Sequence, residues 1–393
     1  MAWGQYLKEE NIKREEPVLA EGGNVAAGGA KAEKIQMDKL NDKTFKEFKK
    51  EILNVLIDLD KQFKKKFKKP LWKNLRALAK SGKMFSGSTA PFFKKDYEPF
   101  AKVKKTVGDI DIKVSDHNFD QLKEILDSVS KKKIGDWKFM GYAKGGNQWN
   151  GIIEPSKKFK DVAGFIQLDF EKTDFGEKGD EPSEFAQLGH ASDWGDLKKG
   201  IKGVMRSYLM GALVNDIDKQ DIVIVGKSGK QLKAENRPKM KAMFGFSSAT
   251  GVRNKVAPLL DDKGKIVQTD GKPTFEKLGP KDPRVKSNRD VGKIFELLFG
   301  EIPKGGQRQD LESFSKMLKL MDKHYDRKKI LGLFWNNMAQ YWAPNAQKQF
   351  RGDAEKDKEI KNAAYNEWIR VFSWLKSEEK KVQDWVTEYY EKY

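Results

Sequence analysis

The chain is 393 residues long and carries 77 Lys and Arg against 58 Asp and Glu, a formal net charge of +19. That length implies two or three domains, and a composition 38% hydrophobic and 11% aromatic supplies enough apolar surface for a sizeable core. The absence of cysteine excludes disulfides, thiolate metal sites and a cysteine nucleophile, while the surplus of cations favours polyanionic partners such as nucleic acid or nucleotides.

Residues 1–40 mix charges with Gly and Ala (EGGNVAAGGAKAEK) and are expected to form a flexible arm, because such a composition buries too little apolar surface to order itself. From Asp42 onward Phe45, Phe48, Ile52, Leu56, Leu59, Phe63 and Phe67 recur every three or four residues, the period of one helix face, until Pro70 stops the helix. Lys64, Lys65, Lys66, Lys68 and Lys69 at its C-terminal end suit the negative end of the helix dipole. The same run, with Phe63 and Phe67 between the lysines, is also the composition of a nucleic-acid or phosphate patch.

A second helix is expected in LWKNLRALAKSG, ending at Gly82, followed by a strand or turn in KMFSGSTAPFF. VGDIDIKVS and AGFIQLDFEK alternate and are rich in β-branched residues, so they are predicted to be neighbouring strands, with FDQLKEILDSVSKK as a helix between them. LKKGIKGVMRSYLMGALV is expected to be a helix closing this core, which gives a domain of residues 41–219. DIVIVGKSGKQLK is predicted as a hairpin opening a β-rich insertion over 220–287, and residues 288–393 as a helical C-terminal domain whose tryptophans, Trp335 to Trp385, serve as core. The expected fold is α+β: a mixed β-sheet flanked by helices, with that insertion and that helical domain.

Asp109 and Asp111 lie two apart on a predicted strand and so share one face, with Ile110 and Ile112 on the other. Two carboxylates held this close repel unless one takes a proton or a cation sits between them, and magnesium, a hard ion that prefers oxygen ligands, is the natural cation. Asp169 supplies a third acid within an apolar strand; the alternative is a strand-end Asp that reaches solvent. Upstream, Gly87 permits close approach of backbone to a ligand, and Ser88 and Thr89 offer hydroxyls to phosphate oxygens.

The order helix, Gly-Ser turn, Asp-x-Asp strand and acidic strand resembles the DNA polymerase β-like nucleotidyltransferase superfamily over roughly residues 80–215, and looks most like its bacteriophage-encoded members. The resemblance implies a nucleotidyltransferase-type sheet. It implies that Gly87 and Ser88 take nucleotide phosphates, that Asp109 and Asp111 hold Mg2+ or Mn2+, and that Asp169 fills the third position. Lys202 and Arg206 match a basic helix of the phage members and would steady the triphosphate or acceptor; a solvated helix face is the other reading. The implied reaction moves a nucleoside monophosphate from an NTP, such as ATP, to an acceptor hydroxyl, with an RNA or DNA end favoured by the charge and a protein or small molecule as alternatives. A non-catalytic, basic nucleic-acid-binding or assembly protein is the alternative outside enzymology. The gap between Ser88 and Asp109 exceeds that of compact members, which implies an inserted loop, KKDYEPFAKVKKT.

Other signals are weaker. Residues 221–228 lack the first glycine of a P-loop, and His117, His190 and His324 have no zinc-ligand spacing. The N-terminal MAWGQYLKEENIKREE has no apolar stretch of signal-peptide length, and no window approaches the roughly 18 apolar residues of a membrane helix, so a cytoplasmic chain without a membrane partner is expected.

Overall fold

The computed structural model describes residues 26–334, apart from 177–178, 199–200, 202, 218–221, 227–243, 248–249, 280–281, 301–306, 322–324, 327–328 and 332. The described residues divide into two compact units, one ending at Gly200 and the other beginning at Ile201.

The first unit opens with the short strands β1 (Ala26–Ala27), β2 (Ala30–Lys31) and β3 (Ile35–Gln36), followed by helix α1 (Asp42–Phe67). Residues 26–40, predicted as part of an arm, are thus built into the body. Gly28, at φ +63°, lies so close to strand backbone that a Cβ would stand 2.1 Å from the Met140 carbonyl oxygen, and Ile35 is fully buried. Composition missed this because the few apolar residues here pack on a neighbour rather than on each other. Helix α1 begins at a reciprocal cap, with Thr44 N donating to Asn41 Oδ1 at 3.0 Å and Asn41 N to Thr44 Oγ1 at 2.8 Å. It buries Phe45, Phe48, Ile52, Val55, Leu56, Leu59 and Phe63, which is the predicted stripe with Val55 added and Phe67 left half-buried.

Helices α2 (Leu75–Ser81), α3 (Thr89–Lys94) and α4 (Tyr97–Val103) come next. The segment predicted as an inserted loop is therefore helical over most of its length. Its Phe100 is fully buried and meets Phe92 edge to face at 5.4 Å, so it contributes to the core instead of overhanging the site.

The central sheet has the order β5-β9-β8-β7-β6, built from β5 (Asp109–Ser115), β6 (Lys133–Ile134), β7 (Trp137–Gly145), β8 (Gln148–Glu154) and β9 (Ile166–Thr173); β4 (Thr106–Val107) pairs with β3 instead. Strands β5 and β9 are parallel and the remaining pairs antiparallel, so the sheet is mixed. The connection from β5 to β9 runs through α5 (Asp116–Val129), as predicted, and also through the β7–β8 hairpin, which periodicity did not pick out. One face of the sheet is apolar: Ile110, Ile112, Val114, Leu168, Phe170 and Ile153 share a single core with α1 and α5. The opposite face carries Asp109, Asp111, Gln167, Asp169 and Asn150, and this separation by alternate positions is what creates a polar site on an otherwise ordinary sheet.

The second unit contains helix α8 (Gly203–Asp216), after the short α6 (Glu184–Gly189) and α7 (Trp194–Lys198) of the first. Helix α8 thus belongs with the later residues and not, as predicted, with the domain that carries the sheet. Its β-rich part comprises β10 (Val223–Val225), β11 (Phe244–Ser247), β12 (Gly251–Asn254), β13 (Val256–Pro258), β14 (Gln268–Thr269), β15 (Lys272–Lys277) and β16 (Ser287–Asn288). Strand β10 pairs in parallel with β15, a long-range partner that a local turn signal does not reveal; the second arm of the predicted hairpin lies outside the described residues. Helices α9 (Val291–Phe299) and α10 (Phe314–Met321) follow, and the five C-terminal tryptophans also lie outside the described residues. Among the described residues no helix is long and apolar enough to cross a membrane.

Candidate metal and nucleotide site

Asp111 on β5 stands in direct register with Asp169 on β9, and Asp109 with Gln167. In a parallel pair, residues in register point to the same face, about 4.8 Å apart. The consequence is an acidic cluster in which Asp109, Asp111 and Asp169 each present a carboxylate oxygen within 4.8 Å of the others. Each position follows from the sequence: the alternation of Ile110 and Ile112 into the core forces Asp109 and Asp111 outward, and Leu168 and Phe170 do the same for Asp169.

The Gly-Ser turn closes over this cluster. Residues 84–86 run antiparallel beside β5, with Lys113 N donating to the Met84 carbonyl at 2.8 Å and Ser86 N to the Asp111 carbonyl at 3.2 Å. Gly87 follows at φ +49°, and a Cβ there would sit 3.2 Å from Asp111 Oδ2. The backbone conformation favours glycine, and a methyl would press on the Asp111 carboxylate. The Gly87 amide donates to the His190 carbonyl at 3.1 Å, so it is engaged within the protein, while Ser88 is half-exposed at the start of α3 and makes no side-chain cap. Thr89, fully buried, accepts from Asp111 N at 3.1 Å and its hydroxyl lies 3.4 Å from Asp111 Oδ2.

The floor of the site extends past the three predicted acids. Gln167 Nε2 donates to both oxygens of Asp169 at 2.8 Å and fixes that carboxylate from within the same strand. Glu171, two residues beyond Asp169 on the same face, accepts a short hydrogen bond from Ser86 Oγ and lies 3.5 Å from His190 Nδ1. On β8, Asn150 is in register with Asp169 and fully buried; Gln148 Nε2 donates to its Oδ1 at 2.8 Å, and its Nδ2 has no acceptor among the described residues. Gln167 and Glu171 were legible as the i−2 and i+2 neighbours of Asp169 on one strand face. Asn150 was not, because it reaches the site only through pairing of the hairpin that sequence reading missed.

The electrostatics are those of a site short of positive charge. Burial raises the Asp111 carboxyl well above the usual range, and Asp109, Glu171 and Asp169 push it further, against the opposing hydrogen bond from Thr89. Asp169 is pushed up to about 8, by burial first and by Asp109 next, with Gln167 opposing. A donor set made only of carboxylate oxygens, whose mutual repulsion raises their affinity for positive charge, and bordered by an orphaned buried amide donor, fits a hard divalent ion and the oxygens of a ligand beside it.

Two assignments remain. Arg206 belongs to the second unit, where its side chain is 1% exposed and its guanidinium donates to the Leu311 carbonyl at 3.3 Å, an anchor inside that unit rather than a solvated cation. Lys202 lies outside the described residues. Comparison with protein-family models, curated proteins and solved structures finds no match to this chain.

Proposed function

We propose that the chain is a metal-dependent nucleotidyltransferase that moves a nucleoside monophosphate from an NTP to an acceptor hydroxyl and releases pyrophosphate. The observation that carries this reading is the convergence of Asp109, Asp111 and Asp169 from adjacent parallel strands, with carboxylate oxygens within 4.8 Å of one another under a Gly-Ser turn. It agrees with the polymerase β-like resemblance of the motif order. Phosphoryl-type transfer needs positioning and charge neutralisation more than covalent participation by the protein, and this set of residues offers those.

Asp109, Asp111 and Asp169 would hold Mg2+ or Mn2+; bound there, the metal neutralises triphosphate charge and lowers the pKa of the acceptor hydroxyl. Thr89 and Gln167 hold Asp111 and Asp169 in place, so little reorganisation accompanies the reaction. Asp169 would serve as a metal ligand or as the base that takes the acceptor's proton. The half-exposed Ser88 hydroxyl and the orphaned Asn150 amide are donors for phosphate oxygens. The net charge of +19 favours a nucleic-acid end as the acceptor.

The test is transfer of label from each NTP to RNA and DNA ends, proteins and small-molecule acceptors, with wild type beside Asp111→Asn. Metal-dependent transfer that falls by about two or more orders of magnitude in the variant supports the reading. Transfer that survives the substitution, or none from any NTP to any acceptor class, overturns it.

A further inference from the structure

From residue 61 to residue 95 the chain has twelve Lys and Arg and not one Asp or Glu. At the chain's average acid content about five carboxylates belong there, so this is not the mixed-charge face that usually solvates a helix. The run covers the end of α1, the turn after it, α2, the Gly87 turn and α3.

On α1, Lys61, Lys64 and Lys65 fall at i, i+3 and i+4 and form one exposed stripe, with Lys68 exposed at its C-cap; on α2, Arg76 and Lys80 are exposed one turn apart. Some cations of the run are neutralised within the protein: Lys61 pairs with Asp58 at 3.0 Å, Lys66 with Glu124 at 2.6 Å and Lys73 with Asp180 at 2.7 Å. Lys64, Lys65, Lys68, Lys69, Arg76 and Lys80 have no carboxylate within 4.0 Å among the described residues. The helix dipole accounts for the lysines in the last turn of α1 and for Lys80 in the last turn of α2, but not for Arg76 in the first turn of α2.

The turn between α1 and α2 is tied to the sheet. Asp60 Oδ1 accepts from Leu71 N at 2.7 Å and Trp72 N at 3.0 Å, and Asn118 Nδ2 donates to the Leu71 carbonyl at 3.0 Å. Trp72 Nε1 donates to the carbonyl of Lys113, on the strand that carries Asp109 and Asp111, at 2.8 Å. Cations fixed in this way bind a chain of phosphates with less loss of freedom than a mobile tail. The aromatic rings of the run offer no platform for bases: Phe63 is fully buried and Phe67 packs on it at 4.7 Å.

We propose that Lys64, Lys65, Lys68, Lys69, Arg76 and Lys80 form a docking surface for the phosphodiester backbone of a nucleic acid, bound without reading its sequence. The binding needs nothing from the acidic site; only the further step, that the docked strand supplies the acceptor hydroxyl, rests on the proposed function.

The test uses the full chain and short labelled RNA and DNA strands of unrelated sequence, a DNA duplex, and anionic phospholipid vesicles, each titrated over a range of salt. Lys64→Gln/Lys65→Gln/Lys68→Gln/Lys69→Gln should weaken single-strand binding by on the order of 10- to 100-fold and lower the slope of log K against log salt by up to about 3. Arg76→Gln/Lys80→Gln should lower it by up to about 1.4, and it carries the test should the fourfold variant misfold by circular dichroism. Lys43→Gln/Lys50→Gln removes as much charge from the N-terminal half of the 26-residue α1, at least about 21 Å from Lys64 along its axis, and should bind as wild type. Binding unaffected by either set, loss of equal size in the distant control, marked sequence preference, or binding to vesicles but not to nucleic acid overturns the proposal. If Asp111→Asn keeps full binding and the wild type transfers no nucleotide, the docking surface stands while the catalytic reading falls.

Discussion

Asp169→Asn isolates the charge frustration of the acidic site. Asp169 is 4% exposed and its pKa is pushed from the ordinary 3.8 to about 8. Without a cation the folded protein holds this proton across a pH range in which the unfolded chain has released it, so stability contributed by the protonated group is full below about 4 and is lost as pH rises toward 8. At 1.36 kcal/mol per pH unit the upper bound is roughly 5–6 kcal/mol, and relaxation and proton sharing with Asp111 reduce it to about 2–4 kcal/mol. Asparagine resembles the protonated acid in size and charge and keeps an oxygen for Gln167. In EDTA the variant should match wild type at pH 5 within about 1 kcal/mol and exceed it by about 2–4 kcal/mol at pH 8.5, as read by urea denaturation across pH. Added Mg2+ or Mn2+ should reverse the order: at a hundredfold excess over Kd the wild type gains about 2.7 kcal/mol near pH 8, less at pH 5, and the variant gains little. A difference between the two proteins that does not change with pH in EDTA, or equal stabilisation of both by metal, would refute the reasoning.

The site makes further demands on its neighbours. Gly87→Ala places a methyl 3.2 Å from Asp111 Oδ2 at φ +49° and should cost about 1–2 kcal/mol of stability and at least about tenfold in kcat, read by thermal melts and the transfer assay. Thr89→Val removes the hydroxyl that accepts from Asp111 N; it should cost about 1–3 kcal/mol and lower kcat more than it raises KM for NTP, whereas a rise in KM alone would argue against an orienting role. Phe45→Ala, which removes a fully buried ring 5.0 Å from that of Phe92, should cost about 3–5 kcal/mol in chemical denaturation; a loss below 1 kcal/mol would mean that the α1 stripe is not a packed core.

Local pattern reached far into this protein where one element carries the information. The helical stripe from Phe45 to Phe63 and the shared face of Asp109 and Asp111 follow from periods of 3.6 and 2, which neighbours in sequence display directly. The acidity of Asp169 was legible as well, because an aspartate between Leu168 and Phe170 is costly unless it is used. What the sequence left open depends on partners distant along the chain. The register of Asp111 against Asp169, the packing of residues 26–40 on a hairpin, the parallel pairing of β10 with β15 and the burial of Arg206 against Leu311 are set by which surfaces meet, not by local propensity. Asn150 is the clearest instance: it is one polar residue in a strand until β8 pairs with β9 and places it, fully buried, beside Asp169 on the acidic face of the sheet.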